Sequence, residues 1–271
     1  MSPAGPDGGI PFPESLRLPP RDSKPRKRGL TSIIDYGPDN MGWTGPRGIA
    51  DLLDCAAAYI DFAKIYAMNA LLLPAATLQQ IVRLYRDADV HCYSGGILFE
   101  HAHRRNEVPA LLAYLRRLGF TALEISENYV TLEDGERLRY FEQCSKAGLT
   151  VVYEFGRKTP DVPIRLDELG RLIEGVLAAG VGHIIIEQSE ITLTAREDPG
   201  VIRQLALQPW FGHVLIEADT FDFPRHPLQL MRDFGRDVSL ANVAPGQALR
   251  LEGLRQGIGR AVDYSMFRAA D

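Results

Sequence analysis

Eight times between residues 30 and 257 the chain writes a short apolar run of about 5–6 residues and follows it with a longer stretch of helical spacing. That repeat constrains the fold more than any other feature. A strand, a helix and a second strand in succession make a right-handed crossover, which sets neighbouring strands parallel. The runs are 30–35 (LTSIID), 60–65 (IDFAKI), 89–94 (DVHCYS), 120–125 (FTALEI), 149–154 (LTVVYE), 182–187 (GHIIIE), 212–217 (GHVLIE) and 238–242 (VSLAN). Helices are expected near 47–58, 75–87, 100–117, 133–147, 165–179, 197–208, 226–235 and 246–257. Eight such units in about 240 residues match the count and size of a closed (β/α)8 barrel, the TIM barrel. An open, doubly wound sheet is the alternative, and it would carry a Gly-rich phosphate loop after its first strand. The loop found there, DYGPDNMGWTG, lacks the GxGxxG spacing. Residues 29–271 are therefore expected to form one barrel domain. Residues 1–28, rich in Pro and Gly and ending in KPRKR, are expected to form a mobile arm whose basic run is solvated or holds an anion.

In a parallel barrel every strand ends on the same face, and chemistry is built there. The strand-end residues are Asp35, Lys64, Ser94 with Gly95 and Gly96, Glu124, Glu154, Glu187, Glu217 and Asn242. Carboxylates crowded in a partly dry mouth raise one another's pKa, and a hard divalent cation removes that cost. Mg²⁺ suits oxygen donors and keeps positions open for substrate oxygens. A magnesium-assisted site follows, with Lys64 as cationic partner or proton donor. For any single acid the competing reading is a helix cap or an arginine partner. The Ser94–Gly96 turn either presents backbone amides to an anion or is simply a tight turn. His101 and His103, two apart, do not share a helix face. His183 and His213 precede their strands and read as structural. His226, Asp219, Asp222 and Arg225 share one loop beyond the seventh strand, and nothing in the sequence fixes their direction.

The remaining features narrow the class. A formal net charge of −5 disfavours nucleic acid and anionic membrane as partners. No apolar run reaches the roughly 18 residues of a spanning helix. The first residues lack the basic start and apolar stretch of a secretory signal. Cys55, Cys92 and Cys144 form no CxxC pair, so reduced thiols in a cytoplasmic protein are expected. The expected partner is a small anionic carboxylate substrate, and the expected assembly is a homo-oligomer.

The segments GLTSIIDYG, YIDFAKI, SGGILFE, GFTALEIS, VVYEFGRK, HIIIEQ, VLIEAD and VSLANV…LEGLRQG, in that order over about residues 24–258, resemble the phosphosulfolactate synthase family. The resemblance implies a (β/α)8 barrel that adds sulfite to phosphoenolpyruvate with Mg²⁺, through an enolate-like intermediate. It also admits a second outcome, a non-catalytic barrel of the heat-stress-associated branch that binds a metabolite or a protein. Asp35, Lys64, Glu100, Glu124, Glu154, Lys158, Glu187, Glu217 and Asn242 match the family pattern, and Arg157 stands where lysine is usual. On this basis Glu154, Glu187 and Glu217 are the expected metal ligands. Lys64, Lys158, Glu124 and Asp35 are the expected catalytic groups. Ser94, Gly95, Gly96, Arg157 and Asn242 are the expected substrate-binding groups. The chain departs from the pattern at Tyr36, at Tyr66–Asn69, at Ser94, at Glu127–Asn128, at Gln188–Glu190 and at the end-piece GIGRAVDY, removing cations and adding bulk.

Overall fold

The structure is a computed structural model that describes residues 21–39, 42–43 and 45–262. The eight apolar runs become eight parallel strands: β1 (Thr31–Asp35), β2 (Phe62–Ile65), β3 (His91–Ser94), β4 (Ala122–Ser126), β5 (Thr150–Phe155), β6 (His183–Ile186), β7 (Val214–Glu217) and β8 (Ser239–Val243). Each pairs with its sequence neighbours, and β8 pairs with β1, so the sheet closes into a barrel with no free edge. The (β/α)8 expectation holds.

The surrounding helices are α1 (Pro46–Ala56), α2 (Ala75–Asp87), α3 (Gly96–Arg104), α4 (Val108–Leu118), α5 (Asp134–Lys146), α6 (Leu166–Ala178), α7 (Gln188–Glu197), α8 (Pro199–Leu205), α9 (Arg225–Phe234) and α10 (Ala248–Arg255). Two differences from the sequence reading matter. The expected helix 100–117 is two helices, parted where Asn106 takes φ 57° and Pro109 enters the first turn of α4. The expected helix 197–208 begins much earlier. Helix α7 starts directly after Glu187, and Asp198 separates it from α8 by accepting from Gly200 N at 3.2 Å. Two small elements line the open end without having been anticipated: a hairpin of Pro38–Asp39 with Gly42–Trp43, and a helical turn Asn69–Leu72.

Strand alternation sorts the interior into layers. Leu30, Phe62, Tyr93, Ala122, Val152, Ile185, Leu215 and Ala241 form a buried apolar plug inside the barrel. Two residues further along the same inward faces stand Lys64, Glu124, Glu154, Glu187 and Glu217, all buried. Opposite-parity residues, such as Ile33, Ala63, Cys92, Leu123, Ile184 and Ile216, pack against the helices in the larger core. All three cysteines are free thiols, with Cys92 and Cys144 buried and Cys55 exposed.

Of the N-terminal arm expected over 1–28, residues 1–20 lie outside the described residues. Residues 21–28 cross the strand N-termini and are held there. Arg26 is 7% exposed and forks onto Asp61, Nε to Oδ1 at 3.0 Å and Nη2 to Oδ2 at 2.8 Å. Lys24 Nζ donates to Asp89 O at 2.8 Å. Within the basic run Lys24 and Arg26 are thus held against the barrel as part of a strap, while Lys27 and Arg28 are exposed. Among the described residues, no helix is long and apolar enough to cross a membrane.

Candidate active site

The mouth is built from the inward-facing residues one step above the plug. Glu154, Glu187 and Glu217 each bring a carboxylate oxygen within 4.8 Å of the others. Two lysines thread between the acids. Lys64 Nζ lies 2.8 Å from Glu124 Oε2 and 3.4 Å from Glu154 Oε2, with the Tyr93 ring centroid 6.0 Å away. Lys158 Nζ, from the loop after β5, donates to Glu187 and lies 3.5 Å from both oxygens of Glu217. Burial alone would lower both lysine pKa values, but the acids outweigh it and hold both ammonium groups charged.

The carboxylates respond oppositely. Burial pushes Glu124 up to about 7, against the pull of Lys64 and with a further push from Glu154. Burial and the hydrogen-bonded neighbour Glu217 push Glu187 up to about 9. Glu217 moves down, because burial is overcome by Glu187, Lys158 and Lys64. Glu187 and Glu217 are thus pushed in opposite directions by their contact with one another.

Amides fix these acids. Asn128 Nδ2 donates to Glu154 Oε1 at 2.8 Å, and Asn242 Nδ2 donates to Glu217 Oε1. Asn242 reaches it because its φ of 56° breaks the alternation at the end of β8, a region asparagine tolerates. Thr220 Oγ1 donates to Asn242 O at 2.7 Å and holds that turn. Glu100, on α3, is buried and accepts from Ser126 Oγ, from Asn128 N at 3.0 Å and from Tyr129 N at 2.8 Å, clamping the loop after β4. Two glycines leave the space. A Cβ on Gly96 would lie 2.6 Å from Ser126 Cβ, and one on Gly156 (φ 114°) would lie 2.8 Å from Glu187 Cβ.

Some expected site residues are placed elsewhere. Asp35 shares the outward parity of Ile33. Its Oδ2 accepts from Tyr85 Oη on α2 at 2.9 Å and its Oδ1 from Gly37 N at 2.9 Å. It holds the turn after β1 and is not brought to the acid cluster. The amides of Gly95 and Gly96 are spent on Ile65 O at 2.9 Å and Glu124 Oε1 at 2.7 Å, so this turn is no anion cradle. Ser94 is fully buried, and its Oγ has no hydrogen-bond partner among the described residues. Arg157 is exposed at the edge of the mouth, its guanidinium donating to Thr131 Oγ1 at 3.2 Å. Tyr36, where the family pattern has lysine, forms an aromatic wall with Tyr66, ring centroids 4.8 Å apart.

Sequence reasoning gave no role to Asn128, Ser126 or Tyr93. The signal for the first two was their parity, since both continue the inward series Ala122, Glu124. Tyr93 sits in the plug with its hydroxyl 2.8 Å from Ser32 Oγ.

The donor set suits a hard cation. It offers three carboxylates and, beside them, the buried Oδ1 atoms of Asn128 and Asn242, neither of which has a hydrogen-bond partner among the described residues.

A parallel barrel whose open end gathers carboxylates, carboxamides and lysines above a dry plug is a barrel enzyme. The solved N-acetylneuraminate lyase of Fusobacterium nucleatum shares the fold. It has a TM-score of 0.54 and 13% identity over 89% of this chain and 79% of that one. The pattern of the (2R)-phospho-3-sulfolactate synthase (ComA) family matches residues 19–260. The phosphosulfolactate synthase of Methanothermobacter thermautotrophicus is 32% identical over 246 residues, covering 89% of this chain and 93% of that one. That of Methanocaldococcus jannaschii is 30% identical over 240 residues, covering 86% and 92%. The chain belongs to the (2R)-phospho-3-sulfolactate synthase family and is an enzyme of the carbon–sulfur lyase type.

Proposed function

We propose that this enzyme joins sulfite to phosphoenolpyruvate. The observation that carries this reading is the meeting of Glu154, Glu187 and Glu217 within 4.8 Å of one another beside two ammonium groups. The sulfur lone pair forms a bond to the methylene carbon, and the π pair of the double bond moves onto the adjacent carbon and its carboxylate. An enolate-like dianion results, and a proton delivered to that carbon completes the addition with the phosphate ester intact. Glu154, Glu187 and Glu217 would hold Mg²⁺, and the ion would supply fixed positive charge for a substrate carboxylate.

The chain's own groups do the rest. Lys158, its side chain 40% exposed at the mouth, is the proton donor. Lys64, 6% exposed and paired with Glu124 and Glu154, orients those acids and adds positive charge beneath the substrate. Arg157 meets an outer anionic group, with Asn242 holding Glu217 in place. Asp35 and the amides of Gly95 and Gly96 position the loops around the mouth. The apolar plug keeps water from entering below, which strengthens every charge interaction above it.

Incubation of purified protein with Mg²⁺, phosphoenolpyruvate and sulfite is expected to yield a sulfonated product by mass spectrometry, and chelation is expected to abolish it. Absence of product would overturn the substrate assignment. Glu187→Gln is expected to lose Mg²⁺ binding and turnover together. A variant that kept both would overturn the metal assignment.

A further inference from the structure

On the face opposite the mouth, the C-terminal end of α10 meets the turn before β8 and the strap that leads into β1. Arg21, Asp22, Arg28, Arg236, Asp237 and Arg255 surround a cavity of about 50 Å³ there. Four guanidinium groups face two carboxylates, in a chain that is acidic overall. Arg255 is the centre of this arrangement. It is 2% exposed, and its Nη1 donates to Arg236 O at 2.6 Å. Its Nε and Nη2 are buried and have no hydrogen-bond partner among the described residues. Those two nitrogens form one edge of the guanidinium fork, the edge that grips two oxygens of a single anion side by side.

Neighbouring groups do not satisfy that edge. Glu252 accepts from Gln256 Nε2 at 2.7 Å and lies 3.6 Å from Arg21 Nε. Asp237 lies 3.8 Å from Arg21 Nη1, and Asp22 accepts from Arg28 Nε at 3.1 Å. Burial lowers the Arg255 pKa to about 10 and Arg21 lowers it further, with Glu252 and Asp237 opposing. A buried cation with open donors is costly until an acceptor arrives. The larger cavity of about 440 Å³ beside β5 offers a contrast. There the buried cation Arg137 is already saturated by Glu127, Asp134 and Leu132 O.

We infer that this pocket is a binding site for a small tetrahedral oxyanion of the phosphate or sulfate class, gripped by the Nε–Nη2 edge of Arg255 and framed by Arg21 and Arg236. The cavity has room for several waters, and so for one such ion, but not for a nucleotide or sugar phosphate. The ion would tie strap, β8 turn and α10 together on the face that governs stability.

Isothermal titration of the full chain with inorganic phosphate and with sulfate, in chloride buffer at constant ionic strength, tests this. A saturable site is expected in the wild type and in the mouth variant Lys158→Ala. It is expected to vanish in Arg255→Met, checked for folding by circular dichroism, and to weaken at least tenfold in Arg236→Glu, which leaves the buried guanidinium in place. Glycerol 3-phosphate is expected not to compete. Unchanged binding in Arg236→Glu or in a folded Arg255→Met, loss of the site in Lys158→Ala alone, or no saturable site at all would each overturn the inference. Equal binding of glycerol 3-phosphate through Arg255 would overturn the size limit.

Discussion

Asn242 illustrates how single side chains shape this mouth. Its left-handed backbone turns a carboxamide onto Glu217 that an extended residue would have carried elsewhere. Asn242→Ala is expected to weaken Mg²⁺ affinity roughly 10–100-fold, as loss of a group that orients a metal ligand does. The Mg²⁺ dependence of the initial rate measures it, and an unchanged dependence would remove Asn242 from the site. At this scale the sequence was partly legible. Glu124, Glu154, Glu187 and Glu217 follow an apolar residue two positions earlier, and the plug confirms that phase. The direction of Asp35 is not legible because β1 is apolar on both faces. Ile33 and Ile34 give no alternation, so the sequence did not reveal which way Asp35 points. The acceptors of the Gly95 and Gly96 amides are not legible because Ile65 O and Glu124 come from neighbouring strands.

Among the elements, strands were legible to within about two residues because their apolar runs end in turns. Helix breaks were less so. The parting of α3 from α4 rests on one left-handed Asn106, which is compatible with a continuous pattern. The hold on Arg26 is not legible in the basic run because its partner, Asp61, lies 35 positions away. Asp61→Ala leaves Arg26 buried and unpaired, which is expected to cost about 3–5 kcal/mol in denaturant unfolding. Replacing both, Arg26→Met with Asp61→Leu, is expected to cost less than the single change. The start of β6 makes a second prediction. His183 stands edge-on to Phe62 at 4.9 Å. Burial pushes its pKa down to about 4, and His91 and His213 repel charge there, with Asp61 opposing. The unfolded chain therefore binds a proton that the folded one refuses between pH 6.5 and about 4. Stability should fall through that window as pH drops, approaching about 1.4 kcal/mol per pH unit. His183→Gln should flatten the slope in urea midpoints, and an unchanged slope would locate the acid response elsewhere.

The whole molecule divides its labour between two ends. The strap, Asp61, His183 and the Arg255 pocket lie at the strand starts, and the acids and lysines at the strand ends. Asp61→Ala should therefore lower the melting temperature while leaving KM near its wild-type value at a permissive temperature. Asn242→Ala should act chiefly on the Mg²⁺ dependence of the rate, with a modest loss of melting temperature from its left-handed backbone. This division also explains why the fold is legible in the sequence while the contacts of the site are only partly so. A barrel follows from a pattern repeated eight times, but a contact between loops is specified only once. The eight-residue apolar plug has a consequence of its own. It makes the barrel a vessel with a single door. Whatever enters must leave by the same opening, so reactant and product queue for one passage. On the proposed reaction the sulfonated product is thus expected to slow turnover by occupying the mouth that phosphoenolpyruvate must enter, and an absence of product inhibition in steady-state kinetics would count against a shared opening.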